Sequence, residues 1–133
     1  MVTQRLRQLI CRYVRPVARP ITRPRRPLPA LPESLREPLK DYPEHLERLQ
    51  LALHGVVIAP ASRLTRLEMA LWALEDRVGR FVAEAQLELE VARSSGDAER
   101  LECAVQDEAV MRGLPGRDEW LKDPAFPTSF MTP

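Results

Sequence analysis

The chain is predicted to be all-α: an antiparallel three-helix bundle with a long central helix, an extended Arg/Pro-rich N-terminal arm and an extended C-terminal tail. Three observations lead there. Eight of the thirteen prolines precede residue 44, which concentrates helix-permitting sequence between Glu44 and Arg112. β-Branched runs are short, which argues against a sheet. From Leu64 to Ala85, the apolar residues Leu64, Leu67, Leu71, Leu74, Val78, Phe81 and Ala85 alternate steps of three and four, the repeat of a left-handed helix pairing. These features divide the chain into an arm (residues 1–40), a bundle (41–113) and a tail (114–133).

The arm comes first. Residues 1–32 hold Arg5, Arg7, Arg12, Arg15, Arg19, Arg23, Arg25 and Arg26 and no Asp or Glu. A formal net charge of +1 therefore conceals an arm of +8 and a remainder of −7, an asymmetry that speaks of partners and addressing. Residues 2–17 place Val2, Leu6, Leu9, Ile10, Tyr13, Val14 and Val17 in one sector of a helical wheel, with Arg5, Arg7, Arg12 and Arg15 outside it. An acid-free, Arg-rich amphipathic N-terminus has the composition of a mitochondrial matrix-targeting segment. Arg15-Pro16, Arg19-Pro20 and Arg23-Pro24 then recur every four residues, followed by Arg25-Arg26-Pro27, Pro29 and Pro32. Proline at that density forbids a helix and predicts an extended, PPII-like cationic strap. Its arginines (Arg15, Arg19, Arg23, Arg25, Arg26) are candidate partner-binding residues, because guanidinium forks match carboxylates and phosphates equally well. Tyr13 is the arm's one aromatic, so no base-stacking platform is present.

The first bundle helix opens with Asp41 as N-cap, Pro43 in the first turn and Glu44 at the capping-box position, and buries Leu46, Leu49, Leu53, Val56 and Val57. Pro60 ends it. The second helix runs from about Ala61 to Ser95, with Asp76 and Arg80 paired at i,i+4 and Gly79 marking a close approach by a neighbour. Gly96 serves as its C′ residue and Asp97 as the N-cap of the third helix, Ala98–Arg112. That helix points Leu101, Ala104, Val105 and Met111 inward and stops at Gly113-Leu114-Pro115-Gly116. The short connections at Pro60 and Gly96 favour antiparallel neighbours. Trp120, Phe126, Phe130 and Met131 follow on the tail; the aromatic three either fold back or anchor a partner, and they complete the candidate partner-binding set.

Catalytic chemistry has no foothold in the sequence. GxGxxG, Walker, HExxH, nucleophile-elbow and EF-hand patterns are all missing. His45 and His54 fall on opposite sides of one helix and cannot share a metal. Cys11 and Cys103 have no CxxC spacing and read as free thiols in a reducing compartment. No apolar stretch approaches the roughly 20 residues that cross a bilayer. The expectation is no enzyme, no cofactor, no metal and no small-molecule substrate.

From Pro43 onward the chain resembles the family of the 13-kDa B accessory subunit of mitochondrial respiratory complex I (alpha-subcomplex subunit five). Ala59-Pro60 stands where that family has Ile-Pro, Arg66 falls at its arginine spacing, and Gly96 closes the long helix. Gly96-Asp97-Ala98-Glu99-Arg100-Leu101-Glu102 is similar to its Gly-Gln-x-Glu-Glu opening, and Arg117-Asp118-Glu119-Trp120 to its tail entry. Thr65 replaces the usual tyrosine, Phe126 and Phe130 stand for a Trp-rich end, and the arm is additional. The resemblance implies a non-catalytic subunit on the matrix side of the complex, bound to other subunits near the quinone module and carrying no cofactor. A mitochondrial ribosomal or other RNA-associated structural protein is the alternative, with the strap neutralising phosphate.

Overall fold

In a computed structural model, residues 29–60 and 65–131 are described. The predicted targeting helix, the strap arginines Arg15, Arg19, Arg23, Arg25 and Arg26, and Leu64 lie outside them. The described residues form six helices: α1 (Glu33–Arg36), α2 (Pro43–Ile58), α3 (Arg66–Ser95), α4 (Ala98–Arg112), α5 (Arg117–Trp120) and α6 (Ala125–Met131). No strand occurs among the described residues. The all-α bundle with a long central helix is therefore the fold. The chain divides into two compact units. One comprises the described residues up to Phe81 and those from Leu114 onward; the other contains Val82–Gly113.

In the first unit, α2 and the first half of α3 run antiparallel, as two contacts at opposite ends establish. The Arg66 guanidinium donates to the carbonyls of Val56 and, at 3.2 Å, of the C-cap residue Ala59, so it closes over the C-terminal end of α2. Further along, the Phe81 ring lies edge-on to His45 (4.4 Å) with the Arg48 guanidinium over its face at 4.6 Å. Leu49, Leu53, Val56, Ala70, Leu71 and Leu74 fill the space between these contacts. Pro43 sits in the first turn, where its missing N–H costs nothing, but Tyr42 is the N-cap and no side chain caps α2. Asp41 does not take the expected capping role. Val57, expected inside, is exposed.

The core of this unit reaches further along the chain than charge and proline content suggest. Leu31, Leu35, Leu39 and Tyr42 are buried, so residues that the charge pattern assigns to the arm belong to the packed body. The tail, expected as extended, is largely helical. Pro127 sits in the first turn of α6, where a helix loses no hydrogen bond to proline. Helix α5 contacts α1. Asp123 ties the ends together by accepting from the backbone N–H of Glu33 (2.9 Å) and of Ala125 (3.0 Å). Gly79, late in this unit's part of α3, marks no close approach, because a side-chain carbon added there would meet nothing within 4 Å.

The second unit is a helical hairpin. Gly96 takes φ +74°, the left-handed C′ conformation that ends α3. The Asp97 carboxylate then accepts from the N–H groups of Glu99 (3.0 Å) and Arg100 (3.2 Å), capping α4 as expected. Arg100 reaches back to Glu88 with two bonds of 2.8 and 3.2 Å, which sets the antiparallel pairing. Ala92, Ala104 and Met111 are buried, together with Asp107 and Glu108. Val105, expected inside, is exposed because the acidic pair takes the inward positions.

Cys103 also departs from expectation. It is disulfide-bonded, and no free cysteine remains among the described residues. Separation along the chain says nothing about separation in space, so the missing CxxC spacing is no obstacle. The sequence offers one other cysteine, Cys11, which lies outside the described residues.

Candidate partner-binding surface

Three of the candidate anchors are occupied at home. Trp120 is 1% exposed, and Phe126 and Phe130 are equally enclosed, their rings packed edge-to-face at 5.5 Å. These three rings therefore pack within their own unit. The Trp120 indole N–H has no acceptor, a penalty outweighed by burying so large a ring.

The other tryptophan is the one that faces outward. Trp72 is 56% exposed on α3, in a helix turn whose neighbours Ala70, Leu71 and Leu74 are buried. The heptad pattern contains Leu71 and Leu74 and omits Trp72, since one residue past a core position is one residue onto the outer face. Glu68, Glu75 and Asp76 stand within one turn of it, all exposed. Glu75 accepts two bonds from Arg117, one of them from Nε at 3.1 Å, and Asp76 pairs with Arg80 at 3.1 Å. Hydrogen bonding to Glu75 holds the Arg117 guanidinium above its ordinary value, and Glu88 does the same for Arg100. Such solvent-facing pairs set orientation more than they add stability.

The hairpin unit carries its own outward apolar residues. Leu87 (65% exposed) and Val91 are one turn apart on one face of α3, and Val105 (49%) stands on α4. Glu84, Glu90 and Glu102 are exposed on the same two helices. A surface of isolated large apolar side chains among carboxylates suits a protein partner with a basic rim.

Among the described residues, no group of three His, Cys, Asp or Glu could hold a metal ion. His45 is engaged in ring contacts with Tyr42 (5.5 Å) and Phe81. No helix among the described residues is long and apolar enough to cross a membrane. No protein-family model, curated protein or solved structure matches this chain.

Proposed function

We propose that this chain is a non-catalytic structural subunit of a large multiprotein assembly, bound to its neighbours through outward apolar side chains and the arginine arm. The carrying observation is Trp72. Tryptophan is enriched among residues that dominate binding energy, and a ring this large left in solvent on a packed helix is best accounted for by a partner. The targeting-like composition of residues 2–17 and the landmark resemblance from Pro43 onward support the matrix arm of respiratory complex I as that assembly, at the matrix face of the inner membrane. The disulfide at Cys103 pulls against the compartment, since such bonds persist in oxidising surroundings and are rare where thiols are kept reduced. RNA is the second choice of partner, favoured by the arm's charge alone.

The test is co-migration. Full-length tagged protein expressed in its native cells is expected to travel with NADH dehydrogenase activity on a native gel, and Trp72→Ala to weaken that association at least tenfold, or about 1.4 kcal/mol, with an unchanged helical spectrum. Sedimentation with ribosomal RNA that RNase abolishes would overturn the reading.

A further inference from the structure

We propose that the outer face of α3 around Trp72 binds an arginine side chain from a basic segment of a partner protein, with the guanidinium stacked on the indole and its N–H groups on the Glu68 carboxylate. This rests on the reading that Trp72 faces a partner, and names what that partner brings. Trp72 is 56% exposed, and no ring or cation covers its indole among the described residues. Further along the same helix, the face of Phe81 carries the Arg48 guanidinium at 4.6 Å. An indole attracts a cation more strongly than a phenyl ring does.

Carboxylates flank the indole on both sides. Glu68 stands four residues before Trp72, and Glu75 and Asp76 stand three and four after it, spacings that share one helix face. Two of the three are engaged, Glu75 by Arg117 and Asp76 by Arg80. Glu68 is exposed, and its carboxylate has no ion pair among the described residues. A planar guanidinium fits such a pair of neighbours, stacking on the ring while its fork donates to the carboxylate. Gly79 lies seven residues past Trp72, two turns along that face, and a side-chain carbon there would meet nothing within 4 Å. Glycine inside a helix lowers its stability, and no packing within the chain explains this one. It leaves the surface beside the ring open to the backbone of a docked segment.

Charge selects among the occupants. The phosphates of a nucleic acid or an anionic lipid would meet the same carboxylates and be repelled. The same face of a second copy would set carboxylates against carboxylates, with Arg80 and Arg117 already engaged. A basic protein segment meets opposite charge.

The test titrates the full chain with a short capped peptide of alternating arginine and alanine, and with its glutamine counterpart. The two tryptophans are followed through their indole N–H signals by NMR. The Trp72 signal is expected to shift saturably with the arginine peptide and to stay put with the glutamine one, while the Trp120 signal is unmoved. Glu68→Gln is expected to weaken the peptide about threefold. Trp72→Leu, which keeps an apolar side chain but lacks the ring face, is expected to weaken it about fivefold, read at the Gly79 amide. Equal binding of the two peptides, an unchanged affinity in Glu68→Gln, or a Trp72 shift on raising protein concentration alone would each overturn the site. Association lost in Trp72→Ala while the arginine peptide fails to bind overturns the arginine site and leaves the assembly reading standing. Peptide binding without co-migration upholds the site and overturns the assembly.

Discussion

The two units are stabilised in different ways. The unit holding α1, α2, α5 and α6 encloses Leu31, Leu35, Leu39, Leu49, Leu53, Leu74, Phe81, Trp120, Phe126 and Phe130. The hairpin of Val82–Gly113 encloses two alanines, a methionine and two acids. Burial of apolar area is the main favourable term in folding, at about 25 cal/mol per Å², so the first unit can stand on its core. The hairpin has instead the left-handed turn at Gly96, the Asp97 cap and a disulfide at Cys103. A helical chain of uniform appearance thus divides by side-chain size rather than by secondary structure.

Breaking the larger core should give the largest effect. Trp120→Ala is expected to cost about 3–5 kcal/mol, read as a lowered urea midpoint; a loss below about 1 kcal/mol would show that α5 is not part of the core. Leu39→Ala comes next, at about 2–5 kcal/mol and comparable with Leu53→Ala. A negligible effect there would return residues up to 40 to the arm. In the hairpin, Asp97→Ala is expected to cost about 1 kcal/mol, seen as faster amide exchange in the first turn of α4 while the exchange of α2 is unchanged. The smallest effect concerns acid. Backbone N–H groups of Glu33, then Ala125, hold the Asp123 carboxyl below its usual value of 3.8. A lowered carboxylate contributes its stability above the unfolded value and loses it as pH falls through the folded one. The first unit should therefore lose a little stability below about pH 4, and Asp123→Asn should flatten that limb in an acid titration followed by circular dichroism.

The helices are legible where backbone chemistry announces itself. Gly96 and Asp97 mark the turn and cap because a left-handed residue followed by a short carboxylate has few other uses. Thr65 and Glu68 form an equally readable Thr-x-x-Glu start, and the structure has the Thr65 hydroxyl accepting from the Glu68 N–H at 3.1 Å. The Pro60 break points to an earlier start at Ala61 and masks it. The surface is harder. Periodicity tells which side of a helix is apolar, not how much apolar surface waits opposite, so the pattern sends Val105 inward and misses Trp72. Trp120 lies on α5, which contacts α1, and the four residues of α1 carry no periodic signal. The disulfide at Cys103 is illegible, since a spacing of many residues encodes no distance.

The bond from the Glu33 N–H to Asp123 joins residues ninety positions apart. During synthesis the ribosome delivers α1, α2 and the start of α3 long before the segment that caps them. Helix α1 must wait for its contact with α5, whereas Val82–Gly113 of the hairpin lies between them as one continuous stretch. Local contacts form before distant ones. The smaller, thinner unit is thus the first to be complete, and the better-packed one is the last.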